Sequence, residues 1–192
     1  MIIKILIPIY NDWQSVSKLL EEINDNLSNL DHEISVIIIN DASNHDRNNE
    51  NKDYKNIFSV KILNMRINQG HARCIATGLK YVFEKEDFDY VIPMDGDGED
   101  RPEEIKNFIK LSEQSGEKSI TGERVKRSEG LFFQLCYKFH KFLTLAFTGQ
   151  SIKFGNFTCL SKSTVKKLLD EKSTWNSFSG SLKKIEKDLI SI

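Results

Sequence analysis

Hydrophobic positions along this chain fall into short runs separated by segments of helical spacing. Ile2-Ile-Lys-Ile-Leu-Ile-Pro-Ile9 is a β-rich run and predicts a buried first strand. Val16, Leu19, Leu20, Ile23 and Leu27 then recur at helical spacing and predict an amphipathic helix. Ile34–Ile39 predicts a second strand and Ser59–Leu63 a third. His71–Glu86 reads as a helix with Ile75, Leu79, Val82 and Phe83 on one face. Tyr90–Met94 predicts the fourth strand. Pro102 is placed to open the next helix, which carries Ile105, Phe108, Ile109 and Leu111. Lys118–Thr121 offers a fifth strand. Near-continuous apolar strands alternating with helices predict an α/β fold with a mostly parallel sheet covered on both faces.

Composition narrows the class. At 192 residues the chain fits one domain and can bury a sizeable core. A hydrophobic fraction of 39% with few Gly and Pro and no repeats argues against disorder. A net charge of −1 excludes a generally basic nucleic-acid binder. Cys74, Cys136 and Cys159 are widely spaced, without a Cys-x-x-Cys pair, so a reducing cytoplasm is the expected compartment. His71 and Cys74 share a helix face but do not close a zinc site. The N-terminus carries no signal peptide, and no run of about 20 apolar residues is present to span a membrane.

Ligands of such sheets bind beyond the carboxyl ends of the strands. Three polar clusters fall there: Tyr10-Asn-Asp12, Asn40-Asp-Ala-Ser43 and Asp95-Gly-Asp97. The last is the most informative. Residues i and i+2 of a strand lean the same way, and the intervening Gly96 lets a phosphate approach closely. Hard cations such as Mg²⁺ bind through one or two carboxylates plus substrate phosphates, so Asp95 and Asp97 suit a nucleoside diphosphate. Asp-Gly is also ordinary turn chemistry. A dinucleotide fingerprint and a P-loop are both absent from the sequence, and Asp100 stands where a calcium loop needs glycine.

Five segments together resemble family 2 glycosyltransferases, which have the GT-A fold and use nucleotide-sugar donors. They are Ile7-Pro-Ile-Tyr-Asn-Asp12, Ile39-Asn-Asp-Ala-Ser43, Asn68-Gln-Gly-His-Ala-Arg-Cys-Ile-Ala-Thr-Gly78, Met94-Asp-Gly-Asp-Gly-Glu-Asp-Arg-Pro-Glu-Glu104 and Gly122-Glu-Arg-Val-Lys-Arg127. Phe154-Gly-Asn-Phe-Thr158 matches more loosely. Within the family the chain looks most like the branch that glycosylates polyprenyl or dolichyl phosphates.

The resemblance implies a single GT-A-like (Rossmann-like) catalytic domain over residues 1–192, a three-layer sandwich whose C-terminus is shortened or stands alone. It implies that Pro8, Tyr10, Asn11, Asp12 and Asp41 hold the nucleoside, with Asn40 replacing the first of the two aspartates most relatives carry. Asn68, Gly70 and Arg73 would face the donor, the helix N-terminus favouring anionic groups. Asp95 and Asp97 would place Mg²⁺ or Mn²⁺, with Glu99 in the slot of a third polar ligand. Arg124 and Arg127 would grip a donor or acceptor phosphate, guanidinium matching phosphate geometry; solvated loop is the competing reading.

Leu131–Phe147 is rich in aromatic residues and interrupted by Lys138, His140 and Lys141. It suits a helix lying among lipid headgroups or an ordinary core or dimer helix. A peripheral position at the cytoplasmic face of a membrane and a homo-oligomer are both consistent with it. The implied reaction is inverting, metal-dependent sugar transfer to a polyprenyl phosphate. Asn156 and Thr158 stand where many such relatives carry an acidic residue and an arginine, which puts the acceptor in question. The competing functions are a catalytically silent nucleotide-sugar binder or partner subunit, and a metal-dependent phosphatase. Against the latter, the Asp-x-Asp pair would be expected at the end of the first strand rather than the fourth.

Overall fold

Alternation along the first strand sets the layers. A computed structural model describes residues 1–28, 30–45, 52–123 and 154–192. Strand β1 (Ile2–Ile9) sends Ile3, Ile5 and Ile7 into one apolar cluster and Leu6 into another. The first cluster is completed by Val16, Leu19, Leu20 and Ile23 of α1 (Trp13–Asn26) and by Ile105, Phe108 and Ile109 of α3 (Glu104–Ser115). On the opposite face, α2 (His71–Lys85) contributes Ile75, Leu79 and Val82. It is joined there by α4 (Lys162–Asp170) and α5 (Phe178–Ile185), a 3₁₀ turn at Lys172–Trp175 linking those two. The result is the expected sandwich of helices, sheet and helices. Each fully buried Ile or Leu contributes about 1.5–3 kcal/mol, so the two clusters dominate the stability.

The seven strands run in the order β3-β2-β1-β4-β6-β5-β7. Strands β2 (Glu33–Asn40), β3 (Ser59–Asn64) and β4 (Tyr90–Pro93) all lie parallel to β1 or its neighbour, with Ile3 opposite Tyr90 and Ile9 opposite Asn40. Strand β6 (Phe154–Ser161) then enters antiparallel between β4 and β5 (Ile120–Glu123), and β7 (Ile190–Ser191) closes the edge parallel to β5. The sheet is therefore mostly parallel with one reversed strand.

Local differences from the sequence reading have physical causes. The fifth strand starts at Ile120, two residues later than expected; just before it the buried Ser119 hydroxyl donates to Thr164 Oγ1 at 2.9 Å. Pro102 does not begin α3; residues 101–103 form a tight turn in which Arg101 and Pro102 carbonyls accept from Glu104 and Ile105. Strand β6 was not foreseen, and its register is fixed by partners about 40 to 70 residues upstream, such as Val91 opposite Leu160 and Ile120 opposite Cys159. Its Phe157 ring packs 4.7 Å from Phe108, tying the reversed strand to α3.

Candidate functional site at the carboxyl edge of the sheet

The parallel register brings the ends of β1, β2 and β4 to one edge, and the three polar clusters follow them. After β1, Asn11 adopts φ 63°, an uncommon left-handed backbone that asparagine tolerates. Its amide donates to Ser43 Oγ at 2.8 Å and its Oδ1 accepts from the Asn44 amide at 2.7 Å. After β2, Ala42 is also left-handed at φ 57°, which turns the chain so that these bonds can form. Asn40 supports the turn through Oδ1, which accepts from the Ser43 amide at 3.0 Å. The loops after β1 and β2 are thus one bonded unit. Tyr10 stands on it, 48% exposed and free to pack against a flat ring.

Asp41 is 4% exposed and accepts two backbone N–H groups, from Gln69 at 2.7 Å and Gly70 at 2.8 Å. Gly70, at φ 86°, makes the entry into α2 possible. A buried carboxylate needs such donors wherever it sits. Asp12 likewise caps α1 by accepting from the Ser15 amide at 3.2 Å. Arg73 is exposed and donates to Gln69 Oε1 at 2.7 Å. It lines a groove with Arg66, Ile67 and Trp175 beyond β3, whose walls do not include Asp95 or Asp97. Asn68 is exposed beside that groove.

The Asp95-Gly-Asp97 segment leaves β4 directly against β1. A methyl on Gly96 would stand 3.1 Å from the Pro8 carbonyl oxygen and 3.3 Å from Ile7 and Ile9 side chains, so glycine is what lets the two chains close up. The Asp95 amide donates to Asp100 Oδ2 at 2.8 Å and the Glu99 amide to Asp97 Oδ1 at 2.9 Å, folding residues 95–100 into a compact acidic turn. Asp97 and Glu99 are exposed and Asp95 half-buried. Among the described residues no three His, Cys, Asp or Glu side chains converge to hold a metal. The expected trio Asp95, Asp97 and Glu99 therefore does not form a closed cluster. Two hard carboxylates at a strand end still fit a cation that takes its remaining ligands from substrate oxygens and water.

Two residues not assigned to the metal or donor site on sequence grounds meet Asp95. His71, the first residue of α2, places Nε2 3.1 Å from Asp95 Oδ1. Asn156 of β6 places Nδ2 3.1 Å from the same oxygen and 2.8 Å from His71 Nε2. The bond to Asp95 raises the His71 pKa above its ordinary value, burial opposes this, and the charges of Asp95, Asp97 and Asp100 add to the rise. The signal was spread over three distant segments, which only the fold joins. Arg124, Arg127 and Leu131–Phe147 lie outside the described residues.

A mostly parallel sheet between two helical layers, with acidic turns at its carboxyl edge, defines a GT-A architecture. The family model for glycosyl transferase family 2 matches residues 4–165, and the chain belongs to that family. Among curated relatives, an undecaprenyl-phosphate 4-deoxy-4-formamido-L-arabinose transferase of Proteus mirabilis is 24% identical over 88% of this chain and 50% of its own length. Its namesake in Pseudomonas syringae is 35% identical over 58% of this chain and 33% of its own length. The putative glycosyltransferase CsbB of Bacillus subtilis is 29% identical over 94% and 54%. The chain thus spans about half the length, or less, of these relatives.

Solved structures agree in fold. S. aureus TarS 1-349 in complex with UDP-GlcNAc superposes with a TM-score of 0.67 at 13% identity, covering 100% of this chain and 56% of that one. Mannosyltransferase PcManGT from Pyrobaculum calidifontis, in complex with GDP-Man and Mn²⁺, gives 0.60 at 15% identity over 99% and 54%.

Proposed function

We propose that this chain carries the donor half of a glycosyltransferase reaction, moving a sugar from a UDP- or GDP-sugar to a phosphate-bearing lipid acceptor. The observation that carries the proposal is the packing of Asp95-Gly-Asp97 against Pro8, beside the bonded loops that present Tyr10 and enclose Asp41. That juxtaposition offers one surface for a base and another for a diphosphate, across a single sheet edge. Tyr10 would stack on the nucleoside, and Asp12 and the Asn11 turn would border it. Asp41 would act by fixing the loop that enters α2 beside the nucleoside.

Asp95 and Asp97 would hold Mg²⁺ or Mn²⁺, which when bound would supply neutralisation of the departing nucleotide's charge. Asp97 is the residue assigned most directly to that task. An acceptor phosphate is already ionised and needs no general base, which accords with Asn156 rather than an acid beside Asp95. Attack from the face opposite the diphosphate inverts the anomeric carbon. Names of the curated relatives support the lipid-phosphate acceptor, and Arg124 and Arg127 are the basic residues proposed to hold a phosphate. Among the described residues no helix is long and apolar enough to cross a membrane. Contact with a membrane surface is assigned to Leu131–Phe147, and pairing with a second copy would use the same segment.

Radiolabelled UDP- and GDP-sugars with polyprenyl phosphate vesicles test the proposal. Metal-dependent transfer supports it. Tight donor binding without hydrolysis or transfer would instead mark a silent nucleotide-sugar binder, and release of phosphate from simple monoesters a phosphatase.

A further inference from the structure

The sheet ends differently on its two sides. Strand β7 has two residues, whereas β3 has six and pairs only with β2. The Phe58 amide donates to the Ile34 carbonyl, and backbone groups alternate in direction along a strand. The N–H and C=O groups of Ser59, Lys61 and Leu63 therefore point away from β2. Long edge strands are ordinarily blunted by proline, a bulge or an uncompensated charge. Strand β3 has no proline, its register with β2 is regular from Ser59 to Asn64, and Glu86 takes up the charge of Lys61 at 2.5 Å.

Apolar surface gathers along the same edge. Phe58, just before the strand, is 73% exposed and Ile67, just beyond it, 63%, more than any other large hydrophobic residue among those described. Between them, Val60 and Ile62 pack against the first apolar cluster and Leu63 against the second, all three only half-buried. An added strand bearing apolar side chains would finish burying both faces. Charge decides what kind of strand that is. Arg66 and Arg73 line the groove at the carboxyl end of β3 with Met65, Ile67 and Trp175, and the groove walls hold no carboxylate. Arg73 is steadied by Gln69 at 2.7 Å, and a guanidinium fork matches a carboxylate. A second copy of this chain fits less well. Antiparallel self-pairing about Ile62 sets the Lys55 and Arg66 ends of the strand side by side, like charge against like.

We propose that the free edge of β3 is a docking site for an extended acidic-apolar segment of a partner polypeptide. The segment adds antiparallel to β3, with apolar residues over Phe58, Val60 and Ile62 and its acidic end on Arg66 and Arg73. Main-chain bonds supply the affinity, and the two arginines set direction and choice of partner.

The test is fluorescence anisotropy of a labelled, end-capped peptide, Asp-Asp-Val-Thr-Val-Thr-Val, titrated with the full chain. The wild type should bind it, and should bind the Asn-Asn counterpart at least about tenfold more weakly, as loss of charge-assisted bonds requires. Arg66→Glu should cost a similar factor and Phe58→Asp about fivefold. Melting temperatures should hold, because both side chains are exposed. Methylating the backbone nitrogens of alternate peptide residues probes strand pairing without touching the protein. One alternate set should abolish binding and the other leave it intact. No binding, equal effects of the two sets, or equal affinity for acidic and neutral peptides overturns the proposal. A concentration-dependent dimer broken by Phe58→Asp also overturns it and gives the edge to a second copy. Recruitment to phosphatidylglycerol vesicles that is lost in the same variant overturns it in favour of a lipid surface.

Discussion

The two edges of the sheet handle charge in opposite ways. At the amino edge, Lys4 is 5% exposed, 3.5 Å from Glu33 and 4.0 Å from Glu86, while Lys61 reaches Glu86 at 2.5 Å. Cations and carboxylates there neutralise one another within the protein. At the carboxyl edge, the carboxylates of Asp12, Asp41 and Asp97 accept backbone amides, which fix their position. The amino edge therefore needs nothing from outside. The carboxyl edge gathers negative charge at defined points, as a surface that recruits a cation and, through it, a diphosphate must do.

The sharpest way to break this contrast is at the exposed acid. Asp97→Ala should lower sugar transfer by about 10³-fold, since one electrostatic contact to developing charge is worth roughly that. Its melting temperature should hold, because the side chain is exposed. Activity within tenfold of wild type in a radiolabel assay would remove Asp97 from the reaction.

Asp41→Ala should do the reverse, costing stability first. It strips the buried acceptor from two amides, and charge-assisted bonds of this kind are worth about 1.5–3 kcal/mol each, so a loss of about 3 kcal/mol is expected in urea unfolding. A stability unchanged within error would show that the α2 entry is held by something else.

At the amino edge, Glu86→Gln should cost about 1 kcal/mol and leave donor KM unaltered. Burial pushes the Glu86 carboxyl up, but bonds from Lys61 and Tyr81 and the charges of Lys61 and Lys4 outweigh it, and its pKa ends below the ordinary 4.5. The carboxylate's contribution is thus present above pH 4.5 and is lost as acid protonates the folded state. Acid titration of unfolding should be shallower in Glu86→Gln.

The smallest effect concerns Cys74, which is fully buried beside Asp41. Burial, with the Asp41 charge behind it, pushes its thiol from 9.0 up to about 12. Folding keeps the proton, so its stabilising share is complete below pH 9.0 and fades as pH rises towards 12. Native Cys74 should resist alkylation at pH 8 and react at once in urea.

The same contrast explains what the sequence disclosed. Strands β1, β2 and β4 and the helices between them announce themselves by local periodicity, because a parallel strand buried on both faces must be apolar throughout. The acidic turn at residues 95–100 was visible for the same reason, as a polar break after such a run. Strand β6 was not. Gly155, Asn156 and Thr158 do not read as a strand, and their pairing is decided by Val91 and Ile120, far away in the chain. His71 and Asn156 were hidden with it, since nothing local marks either as a neighbour of Asp95. The bonds from the Gln69 and Gly70 amides to the buried Asp41 were likewise not legible, because burial is not revealed by sequence spacing.

The central claim is that carboxylates at the end of β4 hold a cation that binds the nucleotide's diphosphate. Calorimetry of UDP and GDP binding, with Mn²⁺ and with chelator, on wild type and Asp97→Ala tests it most directly. The account predicts binding of at least one nucleotide by the wild type in Mn²⁺, lost on chelation and lost in Asp97→Ala. Equal affinity with and without the cation, or an unaltered isotherm in the variant, would contradict it.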